Sequence, residues 1–421
     1  MKSRQRIVSL AAQAVILAAI TAIIIVIAGS YERDNKKGDY IETDNTPKEF
    51  NLWYTEKDYE AYLDEAAKRY EEKTGIKVNL VYCTGIDYLE NISEANKAGN
   101  GPDLFIESEE NLQKIVYLGL ADENYEDSIV NGENYFEKSI RSITFNQKQY
   151  GYPLGFQTSV MAVNMEYTGT LPTTFDDIKS FADSFNSEGS ESSPAHANVE
   201  NILKWDMKQI GLSYGFLGGY LSVGGEYGDD AGALDVNSEN AVKAGNYFYS
   251  LAQYFYMDID TISYESILDD FLNGKIVYTI ADADIIKKLR ESEANVELIT
   301  LPKLTEELDT KEISSTYVLF VNPFGDMKAE AKNFAEFISY DMADEMYDIT
   351  ETFISARKIT YEDKYINSFA LSYEKSAGMP KLMCLSDYWI KASMVTEKIW
   401  NGSNVQETLD SFTEELKQRM D

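Results

Sequence analysis

A chain of 421 residues is long for one hydrophobic core, since cores stop growing at roughly 250 to 300 residues and longer chains divide. Its 44 % hydrophobic and 13 % aromatic content, with thirty tyrosines, excludes a disordered chain. The formal net charge of −33 argues against nucleic acid or anionic lipid as a partner, because such a field repels both.

The first thirty residues differ in kind. Lys2, Arg4 and Arg6 precede an apolar run from Ile7 to Ala28. That run is close to the ~20 residues a membrane-spanning helix needs and longer than the ~7 to 15 apolar residues of a cleaved signal. A signal-anchor helix is expected over residues 1–30, with cleavage after Ala28-Gly-Ser30 as the alternative. Basic flanks stay cytoplasmic, so the rest of the chain is expected on the extracytoplasmic face of the membrane, or secreted if the helix is cut. No Cys precedes Cys83, which removes a lipidated cysteine as anchor. Cys83 and Cys384 are too few and too far apart for a disulfide framework and read as two buried thiols.

Residues 31–47 are charged and lack an apolar period, as a solvated linker does. Phe50-Asn-Leu-Trp-Tyr54 then alternates as a strand, and Tyr59, Leu63, Ala66, Ala67 and Tyr70 fall at helical spacing with Gly75 just beyond. Strand Lys77 to Tyr82, a helix on Leu89, Ile92 and Ala95, and strand Asp103 to Ile106 follow. Such a β-α-β-α-β run predicts a mostly parallel sheet covered by helices. Ligands of these sheets sit beyond the carboxyl ends of strands, which singles out Tyr54-Thr-Glu-Lys57 and Glu107-Ser-Glu-Glu110. The acids of the second segment also suit a helix N-terminus.

After a helix around Tyr135 to Ile143 and a hairpin at Asn146-Gln-Lys-Gln149 comes Tyr150-Gly-Tyr-Pro-Leu-Gly-Phe-Gln-Thr-Ser-Val-Met-Ala-Val-Asn164. Pro153 lacks a ladder donor and Gly155 lacks a packing side chain, so the chain is expected to change sheets there. A second alternation follows. Pro172-Thr-Thr174 opens a helix with Asp176 and Asp177 in its first turn, and Ser238 caps another. Strand Lys275 to Ile280 closes on Ala281-Asp-Ala-Asp284, again a strand end. Thr316 to Val321 reads as a strand returning to the first lobe, and the last third is helical. The expected division is 48–153 with 313–355 for lobe 1, and 154–312 with 356–421 for lobe 2.

Reactive constellations are missing from this pattern. A single histidine, His196, leaves no Ser-His-Asp or Cys-His arrangement and no His-based metal site. No phosphate loop or dinucleotide fingerprint occurs, and Asp258-Ile-Asp260 lacks the glycine and terminal glutamate of a calcium loop. We therefore expect no enzyme, no cofactor and no metal. A cleft lined by Tyr, Trp, Asp and Glu suits reversible binding, since rings stack on sugars or cations and carboxylates accept hydroxyl or ammonium donors.

Several short motifs, in order and spacing, resemble the extracytoplasmic solute-binding proteins of ABC importers, the maltose/maltodextrin-binding group in particular. They are Leu52-Trp-Tyr54, Tyr70-Glu-Glu-Lys-Thr-Gly-Ile-Lys-Val78, Gly99-Asn-Gly-Pro-Asp-Leu104, Tyr150-Gly-Tyr-Pro153, Leu203-Lys-Trp-Asp206, Phe271-Leu-Asn-Gly-Lys275 and Asp387-Tyr-Trp389. The resemblance covers nearly everything after the linker. It implies a two-lobed α/β periplasmic-binding-protein fold, type II-like, with hinge strands between lobes, closure on a small solute, and delivery to a membrane permease. The family's four stacking aromatics fall on Glu107, Gly211, Asp284 and Trp389, so only Trp389 keeps a ring. The acid just after the hinge becomes Gln157, and the polar positions after the first strand become Thr55, Glu56 and Lys57. The expected site therefore has Tyr54, Tyr214 and Trp389 as stacking faces, with Thr55, Glu56, Glu107, Gln157, Asp206 and Asp284 as polar contacts, around a carbohydrate. Two alternatives remain open at this point: a cationic solute such as a polyamine facing Glu107 and Asp284, and an anchored sensor or accessory protein of the same fold.

Overall fold

Alternation of apolar and polar residues in strand β1 (Glu49–Tyr54) buries Phe50, Leu52 and Tyr54 on one face. The computed structural model that shows this describes residues 48–125, 128–188, 196–257 and 263–420. The expected anchor helix, the linker and Asp258-Ile-Asp260 lie outside the described residues. Helix Glu60–Thr74 packs Tyr62, Leu63, Ala66 and Tyr70 against the sheet and stops at Gly75. The φ of +72° there is one that glycine adopts without strain. The chain returns as β2 (Lys77–Tyr82), parallel to β1. Helix Tyr88–Ala98 then leads to β3 (Leu104–Ser108), parallel on the other side of β1. The expected β-α-β-α-β run is present.

The hairpin of β4 (Thr144–Phe145) and β5 (Lys148–Gln149) turns on Asn146 and Gln147, both at positive φ, the twist that two-residue hairpins favour. Next come β6 (Tyr152–Thr158), β7 (Val160–Asn164), β8 (Asn201–Leu203) and the small ribbon of β9 (Ser222–Val223) and β10 (Leu234–Asp235). Strands β11 (Ile276–Ala281), β12 (Val296–Ile299), β13 (Ser314–Val321) and β14 (Ile354–Ser355) complete the set. Six strands in the order β14-β6-β13-β3-β1-β2 form one sheet, and four in the order β12-β7-β11-β8 form the other. Both are mixed and not mostly parallel as expected, because β13 returns antiparallel to β3 and β6, and β7 lies antiparallel to β11 and β12. These sheets are the centres of two lobes within one compact unit, Lys48–Asp421.

The sheet change lies later than Pro153 and Gly155. All of β6 belongs to the six-stranded sheet, and only Ser159 separates it from β7 in the other. Pro153 is accommodated because the β6–β13 register shifts between Tyr317 and Val318, a bulge where a missing N–H costs no regular ladder bond. Gly155 answers a packing need, since a Cβ there would stand 2.6 Å from Tyr59 Oη and 2.7 Å from Met346 Sδ. The thiols also differ from expectation: Cys384, on a short turn before a late helix, is exposed and Cys83 is only partly buried.

Three chain crossings run side by side between the lobes. Thr158 Oγ1 donates to the Ile313 carbonyl at 2.7 Å, Ser372 Oγ to the Ser159 carbonyl at 2.7 Å, and the Ala377 N–H to the Glu312 carbonyl at 2.7 Å. Besides the core of each lobe, a third apolar cluster lies behind these crossings. It joins Phe136, Phe156 and Ile354 to Val160, Ala162 and Val296, with Tyr373 stacked on Phe156 at a centroid distance of 3.9 Å.

Beside that stack Lys138 and Glu109 are buried as an ion pair at 3.0 Å. Glu109 Oε1 also accepts from Thr316 N at 3.2 Å and Thr316 Oγ1 at 2.9 Å. Removing one partner of a buried pair strands a charge, at a cost of ~3 to 5 kcal/mol. Lys138→Met should therefore lower the urea midpoint sharply at constant slope. Lys138→Met with Glu109→Gln should recover most of the loss, whereas equal losses in both variants would mean that packing rather than charge is at stake.

Candidate functional site

Strand ends of both sheets face a cavity of about 540 Å³ between the lobes. The first lobe contributes Asp58 and Glu110, and the second contributes Gly211, Asp282, Asp284 and Trp389. The crossings themselves add Gln157, Thr158, Ser314 and Ser315. Its charged lining is wholly acidic.

Trp389 lies in the first turn of the helix Tyr388–Trp400, whose inward face is anchored in the core of the second lobe. Its ring is braced edge-on by Tyr214 at 5.2 Å and by Tyr388 at 4.8 Å. The indole Nε1–H donates to Glu110 Oε2 at 3.0 Å, so the bond spans the cleft. Burial raises the Glu110 carboxyl, and the indole donor works against that rise. On the same side β11 delivers Asp282 and Asp284. The Asp282 N–H donates to Tyr264 Oη at 2.7 Å, and that hydroxyl donates to Asp284 Oδ1 at 2.6 Å. Asp284 is thus oriented by Tyr264. Burial, then the charge of Asp284, pushes the Asp282 carboxyl up to about 7.

On the first lobe burial, then the charges of Glu56, Glu107 and Glu110, push the Tyr317 hydroxyl up. That hydroxyl hydrogen-bonds Glu56. Glu107 Oε1 accepts from Ser108 N at 2.8 Å and Asn111 Nδ2 at 3.2 Å, yet burial still pushes its carboxyl up to about 7.

Of the residues the sequence singled out, Gln157, Asp284 and Trp389 meet in the cavity. Thr55 and Glu56 lie at the β1 end and Glu107 at the β3 end, outside its lining. Three expectations are corrected. Tyr54 ends β1 on its inward face, is 3 % exposed and packs tilted under the exposed ring of Tyr82. Tyr214 is 1 % exposed behind Trp389, with its hydroxyl 2.9 Å from that of Tyr388, so it supports a stacking ring without being one. Asp206 turns back on its own loop, accepting from Lys208 N at 3.1 Å and Gln209 Nε2 at 3.3 Å, as Asp does at turns.

Sequence reasoning missed Asp58, Glu110 and Asp282. The last two stand in the strand-end segments it had marked, and a stricter count of which residues leave the sheet on the cleft side could have found them. Met379 and Thr352, also in the lining, carried no such signal.

Residues 65–368 match the family model described as bacterial extracellular solute-binding protein. The chain belongs to this family. The maltodextrin-binding protein MdxE of Bacillus subtilis strain 168 is 25 % identical over 257 residues, 59 % of this chain and 59 % of that protein. A maltooligosaccharide ABC transporter solute-binding lipoprotein of Streptococcus pneumoniae serotype 4 is 25 % identical over 292 residues, 68 % of this chain and 66 % of its own. The match thus spans somewhat under two thirds of these relatives. Among solved structures, an extracellular solute-binding protein from Staphylococcus aureus in complex with maltose superposes with a TM-score of 0.74 at 21 % identity, over 89 % of this chain and 98 % of that one. A cyclo/maltodextrin-binding protein complexed with maltotetraose gives 0.72 at 18 % identity, over 90 % and 99 %. The two-lobed α/β fold is shared with both.

The raised carboxyls fix a direction for pH dependence. Glu107 ordinarily titrates near 4.5 and in the fold near 7, so between those values the folded state holds the proton more tightly than the unfolded one. Its stabilising contribution is full below 4.5 and is lost as pH climbs through about 7. Glu107→Gln should match the parent's melting temperature at pH 4 and exceed it at pH 8; parallel melting profiles across this range would refute the assignment.

Proposed function

We propose that this protein binds a carbohydrate in the cleft between its lobes and delivers it to the permease of an ABC importer outside the cytoplasm. In this reading residues 1–30 hold it at the membrane. The observation that carries the proposal is the braced Trp389 ring set among Gln157, Asp282 and Asp284 in one cavity. A sugar ring offers an apolar face to the indole and hydroxyls to the acceptors around it. The names of the relatives support the sugar class, as does a galactooligosaccharide-binding protein of Bacillus subtilis strain 168 that is 22 % identical over 375 residues. The family's solute-binding role supports binding rather than catalysis.

Calorimetry of the Lys48–Asp421 unit with a panel of oligosaccharides tests this. At a hundredfold excess over Kd, a bound sugar should stabilise by ~2.7 kcal/mol. Trp389→Ala should weaken binding by about tenfold, the ~1.4 kcal/mol expected of one stacked ring. No heat and no thermal shift across the panel would remove the carbohydrate reading.

The acidic lining of the cavity supports a second reading, a cationic solute. Asp282→Asn would then abolish binding of a polyamine, while a neutral sugar would lose no more than one hydrogen bond, about tenfold or less. Spermidine and maltotriose titrated against this variant separate the two.

A further inference from the structure

A second cavity of about 290 Å³ adjoins the first through Met379, which lines both. Its charge is opposite in sign. Lys138 and Arg141 of the first lobe and Lys311 and Lys381 of the second line it, against only Glu109 and Glu226. In a chain with 71 acids and 38 Lys and Arg, a cavity with a basic excess runs against composition.

The four cations are not equally satisfied. Lys138 is neutralised by Glu109 at 3.0 Å. Arg141 meets Glu226 only at 3.8 Å, and that glutamate is two-thirds exposed. Lys311 has no carboxylate within ion-pair distance among the described residues; its ammonium is pushed down by burial and by the nearby charges of Arg141 and Lys138. Lys381 is 1 % exposed and donates to the carbonyls of Arg141 and Thr144. An ammonium has three donors, so one N–H of Lys381 has no acceptor among the described residues. Burial pushes this ammonium down to about 7. A basic group so placed gains from an anion, which relieves repulsion among Lys311, Arg141 and Lys381 and fills the remaining donor.

We propose that this second cavity is an anion subsite of the cleft, taking a carboxylate or sulfate group carried by the bound saccharide, with Lys311 and Arg141 supplying charge and Lys381 a buried hydrogen bond. The inference rests on the carbohydrate reading and narrows it to acidic saccharides. The acidic cavity takes the hydroxyl-bearing part of such a ligand, and the basic cavity its anionic group. One ligand spans both across Met379.

The test is calorimetry with matched pairs: oligogalacturonates and sulfated oligosaccharides against their methyl-esterified or unsulfated counterparts, with sodium sulfate alone as a third arm. The acidic member of at least one pair should bind about tenfold tighter than its neutral partner, as one added charge-assisted contact provides. That preference should shrink towards one in Lys311→Gln. It should persist in Lys303→Gln, a lysine outside the cavity that pairs with Asp309. Arg141→Gln should reduce it as well, and unchanged melting temperatures of the free variants would show that they fold. Neutral and acidic members binding alike, with no effect of Lys311→Gln, would overturn the subsite and leave the carbohydrate reading standing. If no saccharide binds while sulfate protects the parent but not Lys311→Gln, the anion site stands and its ligand is a free anion. If neither saccharide nor sulfate binds, both readings fall.

Discussion

The buried pair of Glu109 and Lys138 is the constraint on which the region between the lobes depends. Glu109 follows directly on β3, at the strand end that faces the cleft. Its carboxylate reaches Lys138 on one side and Thr316 of β13 on the other. Thr316 Oγ1 lies 2.9 Å from Tyr373 Oη, whose ring stacks on Phe156 of the crossing strand. A single acid thus ties the end of a core strand, a helix, the returning strand and the hinge cluster together. Such a network stabilises only while every member is satisfied. Here each oxygen of Glu109 has a donor, which explains why a charge can be kept where water is excluded.

That constraint also separates the two halves of the cleft. Glu109 is hydrogen-bonded by Lys138 and Thr316; burial still pushes the Lys381 ammonium down to about 7, although the charge of Glu109 favours it. Glu110, its neighbour in sequence, instead points to the other cavity and to Trp389. Two adjacent acids therefore serve opposite sides, because they open the short 3-10 turn Glu109–Asn111, whose successive side chains point about 120° apart. The result is a cleft with an acidic and a basic compartment meeting at Met379, inside a protein whose overall charge would have suggested a uniform negative field.

Most of the fold was legible in the sequence for reasons of periodicity. The β-α-β-α-β start, the Asn146–Gln147 hairpin and the Ser238 cap, where Ser238 Oγ accepts from Ala241 N at 3.2 Å, follow from local rules. The sheet change did not, because Pro153 and Gly155 carry the same signal whether they end a strand or sit in a bulge. Only the partner strand β13 decides between these, and it lies over 150 residues away. The site was half legible. Strand-end logic marked the right segments, yet it could not say that Tyr54 and Tyr214 point inward, since a tyrosine serves equally as core filler with a bonded hydroxyl and as a ligand face. The basic cavity was invisible. Its four cations are spread from Lys138 to Lys381, and no window of sequence holds more than two of them.

Braced rings and oriented acids imply that the cleft is organised before any ligand arrives. Trp389 cannot rotate freely between Tyr214 and Tyr388, and Asp284 is held by Tyr264. Preorganisation lowers the entropy that binding must offset. The Trp389–Glu110 bond works in the opposite sense, because it joins the walls directly and a ligand entering between them must replace it. An incoming hydroxyl can do so at little cost by donating to Glu110 and accepting from the indole N–H. A purely apolar group cannot, and would leave a half-buried carboxylate without its donor. The same geometry therefore disfavours a purely apolar occupant, a constraint independent of what any relative binds.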